Sequence, residues 1–272
     1  MPELPEVETI RRSLEPLCVG RRCLNLLTFT PEVLEELGGA ELSGQKLLSL
    51  GRKGKYLLFH FESSDLICHL RMTGRLIFDG ESPEKSINPY TRALLLFERG
   101  CGLRFDDVRR FGRLKLCPRG ETWRDKGFAA LGPDAISEAF TPQAFIEAVR
   151  RHPAAPIKAV LLNQTVVAGV GNIYADESLF RAGIRPDRRA GRISEARLTN
   201  LQQLLKAILV EAIGLGGTSF RDYVNALGRK GHFQLKLAVY QKEGQACPNC
   251  GQTLKKCFVA GRGTRYCAHC QH

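Results

Sequence analysis

The chain has 272 residues and a 43% hydrophobic fraction, enough for about two domains with sizeable cores, which excludes wholesale disorder and a single small stapled fold. Its formal charge is 40 − 28 = +12, divided after Arg150 into 22 − 21 = +1 for the first part and 18 − 7 = +11 for the second. An excess confined to one half points to a surface facing a polyanion, nucleic acid before anionic membrane, with plain solubility as the bland alternative.

The acidic start MPELPEVETI lacks the basic and then apolar pattern of a secretion signal, and no stretch approaches the ~18 apolar residues of a membrane span. An intracellular, cytoplasmic protein is expected. Cys18, Cys23, Cys68, Cys101 and Cys117 are scattered among apolar residues and read as buried free thiols of a reducing compartment.

Val7, Ile10, Leu14 and Leu17 recur at helical spacing, so the chain starts with one short helix. From about residue 20 to 118 the texture changes to short apolar runs such as KYLLFHF and GRLKLC, punctuated by Gly, Asn, Pro and charged pairs. That pattern predicts an antiparallel sandwich or barrel. Leu131-Gly132-Pro133-Asp134 breaks it. Beyond the break, Thr141-Pro142 offers an N-cap followed by proline at the first helical position. Helices are predicted at about 142–151, 156–163, 175–182 and 194–214, with Leu198, Leu201, Leu204, Leu205, Ile208 and Ile213 on the apolar face of the last. Residues 218–231 are polar, with glycines at 228 and 231, and read as a mobile loop.

Cys247-x2-Cys250, sixteen residues, then Cys267-x2-Cys270 has the spacing of a four-thiolate zinc site. Each pair places two sulfurs on one metal, and the intervening residues suffice for a β-hairpin that returns the second pair to the first. Four protein ligands leave no open position, so one structural zinc is expected; two disulfides or a redox dithiol are the alternatives. Cys257 and His269 do not fit the spacing. Arg262, flanked by glycines in the hairpin, can present a guanidinium to a phosphate.

Removal of Met1 would expose the secondary amine of Pro2 beside Glu3 and Glu6. An α-amine has a pKa of about 8 against about 10.4 for lysine, so more of it is neutral and nucleophilic. Attack on a sugar C1′ gives an iminium that acidifies the C2′ proton and permits β-elimination, with Glu3 placed to move protons. An inert processed terminus is the competing reading.

The start MPELPEVET, the stretch NQTVVAGVGNIYADESLF at 163–180 and the terminal cysteine module closely resemble the formamidopyrimidine-DNA glycosylase family. The resemblance implies an α+β multidomain fold: an N-terminal β-sandwich with an N-terminal helix (1–133), a helical helix-two-turn-helix domain with a lesion-capping loop (134–236), and a C-terminal zinc-finger β-hairpin (237–272). It implies excision of oxidised purines from damaged double-stranded DNA by a monomer with no membrane partner, and cleavage of the abasic strand by β,δ-elimination. By the same resemblance Pro2 is the Schiff-base nucleophile, Glu3 the proton donor and Glu6 its support. Lys55 acts in β-elimination and phosphate contact, and Arg262 in phosphate contact and δ-elimination. Met72, Arg109 and Phe111 fill the hole left by the everted nucleotide, while Lys158 and Asn172 grip phosphates.

Three positions depart from the family pattern. Tyr90-Thr91-Arg92 replaces a frequent His-x-His, so that DNA contact is either made by a phenol and a guanidinium or altered; Val108 replaces a proline; and His152-Pro153 stands in a region that is often lysine-rich. The other readings are an oxidised-pyrimidine glycosylase of the related endonuclease VIII branch and a non-catalytic zinc DNA-binding protein.

Overall fold

The computed structural model describes residues 1–219 and 223–272. The chain forms two compact units, residues 1–130 with 215–232, and residues 131–214 with 233–272. The path therefore differs from the three consecutive segments expected: residues 215–232 return to the first unit, and the cysteine module shares a unit with the helices.

The first unit opens with α1 (Leu4–Cys18). Glu3 is its N-cap, Pro5 lies in the first turn, and Glu3 and Glu6 form a reciprocal capping box that satisfies two backbone donors. One stripe, Leu4, Val7, Ile10, Leu14 and Cys18, is buried. Nine strands follow: β1 (Cys23–Thr28), β2 (Leu34–Glu36), β3 (Leu47–Lys53), β4 (Tyr56–Phe61), β5 (Ser64–His69), β6 (Gly74–Asp79), β7 (Thr91–Phe97), β8 (Cys101–Asp107) and β9 (Arg113–Pro118). They make a four-stranded sheet β1-β7-β8-β6 and a five-stranded sheet β2-β9-β5-β4-β3, antiparallel except for the β2–β9 pair. The short helix α2 (Lys126–Ala129) follows, with Asp125 as its N-cap.

Alternate residues of the two sheets meet in one core. Leu57, Phe59, Phe61, Leu66, Cys68, Leu114 and Leu116 face Leu76, Ala93, Leu95, Phe97, Leu103 and Phe105, and α1 contributes Val7, Ile10, Leu14 and Cys18. This is the period-2 pattern of the apolar runs, with side chains of successive residues on opposite faces. The five scattered cysteines are free and buried as expected. Burial pushes the Cys18 thiol up to about 12 and those of Cys23 and Cys117 to about 11, which keeps them protonated and inert.

The second unit contains α3 (Pro142–Arg150), α4 (Ile157–Leu162), α5 (Asn172–Arg181) and α6 (Glu195–Gly214), then the hairpin β10 (Lys255–Val259) and β11 (Arg262–Tyr266). Thr141 caps α3 by accepting the Ala144 N–H at 3.1 Å, as the Thr-Pro pair predicts. α5 starts at Asn172, three residues before the predicted boundary, because Gly171 serves as its N-cap. In α6 the buried stripe is Leu198, Leu201, Leu205, Ile208, Leu209, Ala212 and Ile213; Leu204 is only half-buried.

Candidate active site

At the start of α1 the carboxylates of Glu3 and Glu6 are 3% and 2% exposed. Glu6 Oε2 accepts the Glu3 N–H at 2.8 Å and Oε1 accepts the Thr218 N–H at 2.8 Å. Both Glu6 oxygens are thus engaged with backbone donors, so Glu6 holds Glu3 and the 215–232 segment in place. Gly217 is required there: its φ is +79°, and a Cβ would lie 3.0 Å from Glu6 Oε1.

Glu8, two residues beyond Glu6 along α1, is a buried hub the sequence reading missed. Its carboxylate accepts from Arg11, Arg12 and Arg52 at 2.8 to 3.1 Å. Burial alone would raise its pKa, but the three guanidinium groups win and hold it at about 2. Arg52, the last but one residue of β3, also donates to the Gly54 carbonyl at 3.0 Å. Gly54 leads directly into Lys55, which is 6% exposed in the β3–β4 turn. A chain of charge-assisted bonds therefore ties the helix that carries Glu3 to the turn that carries Lys55.

Met72 and the pair Arg109 and Phe111 occupy two turns at the ends of β6 and β8. Asp107, 1% exposed, organises both. Its Oδ1 accepts the Thr73 hydroxyl and the Arg109 N–H, and its Oδ2 accepts the Gly112 N–H at 2.7 Å. Met72 and Phe111 are exposed apolar side chains, and the Arg109 guanidinium lies 4.9 Å from the centre of the Phe111 ring. Exposed wedges on rigid turns are what displacement of a base requires. Val108 is exposed, so the turn holds without a proline because Asp107 fixes it from inside.

Tyr90 is exposed beside these turns, and its carbonyl accepts the Asp107 N–H at 2.8 Å. Arg92 is different from expectation. It is 6% exposed and its Nε donates to the Asp107 carbonyl at 2.8 Å, so it braces the turn and is not presented as a surface contact. His69, in the same unit, is buried; desolvation, reinforced by the Arg71 and Lys55 charges, lowers its pKa to about 3 and keeps the ring neutral.

The described residues of the 218–231 segment bond to α1 and β6 of their own unit. Tyr223 donates its hydroxyl to the Glu6 carbonyl at 3.2 Å, the Ala226 N–H binds Ser13 Oγ at 3.3 Å, and the Phe78 N–H binds the Ala226 carbonyl at 3.0 Å. Ala226 is fully buried. Phe220, Arg221 and Asp222, at the heart of the expected lesion cap, lie outside the described residues.

In the second unit the structure corrects the reading of Lys158 as a surface phosphate grip. Lys158 is 0% exposed; its Nζ lies 2.6 Å from Asp176 Oδ1, which is equally buried, and 2.7 Å from Thr264 Oγ1. Burial lowers the lysine pKa and raises that of Asp176 to about 6. Asn172, at the first turn of α5, donates Nδ2–H to the Gly263 carbonyl at 3.0 Å. Both side chains are thus turned to β11, while the N-terminal end of α5 keeps the positive pole that suits an anion. Arg262, at the start of β11, is exposed and fits a phosphate contact. Glu177, also missed, is buried and accepts the N–H groups of Ala238, Val239 and Tyr240 at 2.8 to 2.9 Å.

The Sγ atoms of Cys247, Cys250, Cys267 and Cys270 all lie within 4.8 Å of one another. The Cys250–Cys267 and Cys247–Cys270 separations are 3.5 and 3.9 Å, close to the roughly 3.8 Å edge of a tetrahedron with bonds of about 2.3 Å. The set fits a metal ion. Gln271, fully buried, accepts the Cys267 N–H at 2.8 Å and donates to the Ile184 carbonyl at 2.8 Å, fixing the second cysteine pair to the helical part of its unit.

Comparison with known proteins agrees along the whole chain. Residues 1–114 match the formamidopyrimidine-DNA glycosylase N-terminal domain, and residues 131–224 match the formamidopyrimidine-DNA glycosylase H2TH domain. A formamidopyrimidine-DNA glycosylase of Geobacillus kaustophilus is 43% identical with full coverage of both chains, and that of Enterococcus faecalis is 40% identical over 100% of this chain and 97% of its own. Among solved structures, MutM (Fpg) of Thermus thermophilus superposes with a TM-score of 0.88 at 40% identity, covering 99% of this chain and 98% of that one. A variant of Lactococcus lactis FPG in complex with Fapy-dG-containing DNA gives a TM-score of 0.90 at 36% identity over 99% of both. Matched over its full length in sequence and in fold, the chain belongs to the formamidopyrimidine-DNA glycosylase family.

Proposed function

We infer that this chain is a bifunctional enzyme, a DNA glycosylase and AP lyase that removes oxidised purines, 8-oxoguanine and formamidopyrimidines, from damaged double-stranded DNA. The observation that carries this reading is the Pro2-Glu3 start of α1, with Glu3 buried and held by Glu6, in a chain that matches the family from end to end.

With Met1 removed, Pro2 presents a free secondary amine next to Glu3, the N-cap of α1. The neutral amine bonds to C1′, the base departs with the electrons of its N-glycosidic bond, and the amine's N–H proton passes to Glu3, which delivers it to the sugar oxygen as the ring opens to the iminium. Loss of the C2′ proton then expels the 3′ phosphate. Loss of the C4′ proton breaks the C5′–O5′ bond, whose electron pair leaves on the 5′ phosphate, and water releases the proline. Lys55 acts in the first elimination and Arg262 in the second, each as a cation beside a departing phosphate. Met72, Arg109, Phe111 and Tyr90 contact the duplex around the everted nucleotide, and Asn172 lies at the helix terminus that faces a phosphate.

Cys247, Cys250, Cys267 and Cys270 would hold one structural zinc ion, which supplies the crosslink that a small hairpin with little core of its own needs. The buried free thiols fit the reducing cytoplasm, where the DNA is. Borohydride reduction in the presence of an 8-oxoguanine:C duplex should yield a covalent complex on Pro2, and a thymine-glycol duplex a weaker one. No complex, with Pro2 shown to be the mature terminus, would overturn the mechanism; preference for thymine glycol would overturn the substrate.

A further inference from the structure

We propose that Asp176 is a positioning residue for Arg262, acting through Lys158 to fix the strand on which the arginine is mounted. Each residue from Arg262 to Arg265 is held, three by a backbone group and Thr264 by its hydroxyl. Lys158 Nζ is anchored by Asp176 Oδ1 at 2.6 Å, and it donates to Thr264 Oγ1 at 2.7 Å and towards the Gly263 carbonyl at 3.4 Å. Thr264 Oγ1 in turn donates to the carbonyl of Arg262 itself at 2.9 Å. Asp176 Oδ2 accepts the Arg265 N–H at 3.0 Å, and Asn172 Nδ2 donates to the Gly263 carbonyl at 3.0 Å. Asp176, Lys158 and Thr264 are all 0% exposed, so water does not compete for the Asp176–Lys158 and Lys158–Thr264 contacts at the centre of this network.

The arrangement has a directional logic. A lysine on α4 and an aspartate on α5 neutralise each other, so neither serves as free charge for DNA; their joint product is a rigid seat for β11. Arg262 remains exposed at the end of that seat. A guanidinium that must meet a departing phosphate loses about 10²-fold in rate for a misplacement of about 1 Å, and the four gripped residues are what prevent it. The inference rests on the assignment of Arg262 to the second elimination.

The test compares zinc-loaded wild type with Asp176→Asn, Thr264→Val and Arg262→Ala on a duplex carrying a preformed abasic site, and reads the ratio of β,δ to β product. Asp176→Asn should lower that ratio about tenfold, and Thr264→Val about threefold, with borohydride trapping within about twofold of wild type. A merely structural role would reduce all steps together and leave the ratio unchanged, which overturns the proposal if Arg262→Ala shifts it. If Asp176→Asn fails to fold, Thr264→Val decides by the same ratio. If Arg262→Ala leaves the ratio unchanged, the assignment of Arg262 fails, and amide exchange decides the positioning role. Exchange at residues 262–265 must then rise at least tenfold in Thr264→Val; unchanged protection overturns it.

Discussion

Glu8 Oε2 and Arg52 Nε, 44 residues apart in sequence, meet at 3.1 Å between α1 and β3. Through the Gly54 carbonyl this pair fixes the turn of Lys55, so the spacing of Glu3 and Lys55 depends on a carboxylate that takes no part in the chemistry. Replacing Glu8→Gln should reduce the single-turnover rate of strand cleavage by about tenfold, consistent with the loss of a buried charge-assisted bond. Equilibrium binding of the same duplex should stay within about threefold, and an unchanged rate would refute the coupling.

Glu8 also makes stability depend on acid. Its folded pKa of about 2 lies below the ordinary 4.5, so its contribution is complete above the unfolded value and is lost as pH falls from about 4.5 towards 2. The contribution is about 3 kcal/mol. Urea midpoints measured at pH 7 and pH 3 should differ less in Glu8→Gln than in wild type; an equal difference would contradict the assignment.

Asp107 joins the two turns that bear Met72, Arg109 and Phe111. Asp107→Asn keeps the shape but cannot accept all three bonds, at a cost of roughly 1–3 kcal/mol in the order of the turns. Excision of 8-oxoguanine should slow by at least tenfold. Cleavage of a preformed abasic site, which needs less base eversion, should slow less, and equal losses on both substrates would place the effect elsewhere.

Ala260 and Gly261 form the two-residue turn of the cysteine-module hairpin, with φ of 50° and 71°. Both values lie in the left-handed region, which suits Asn-Gly far better than Ala-Gly. Ala260→Asn should stabilise the hairpin by about 0.5–1 kcal/mol, measured as slower loss of metal to a chelator. Faster loss would show that the turn is not the weak point.

Complete removal of the bound metal should melt the hairpin and release Arg262, because the cluster of Val239, Cys247, Leu254 and Cys267 with Phe180 of α5 is too small a core to hold the module without the crosslink. Circular dichroism and DNA binding should fall together and recover on adding zinc back. Full binding after verified metal loss would refute the structural role.

The sequence by itself determined the local features. The Thr-Pro start of α3, the period-2 strands, the buried thiols and the doubled Cys-x2-Cys each follow from contacts within a few residues or from a spacing that suits a four-thiolate metal site. The proline and carboxylates of the N-terminus were legible for the same reason, as chemistry carried in adjacent residues, whereas Met72, Arg109 and Phe111 stood out only through the resemblance to the family.

Only the tertiary structure decided the fate of the charges. Lys158 reads as one more cation of the basic half, yet it is buried against Asp176, and Arg92 reads as a surface contact but braces Asp107 from inside. Asp176 and Glu177 carry no signal in the sequence, because their partners lie on other elements; for Glu8 and Asp107 only the local partners, Arg11 and Arg12 or Arg109 and Gly112, are close in sequence, while Arg52 and Thr73 are brought within about 3 Å by packing. A charge costs several kcal/mol to bury unless it is paired, and pairing is a property of the fold. Net charge located the basic half, and the three-dimensional arrangement determined which of its charges remain free to meet a phosphate.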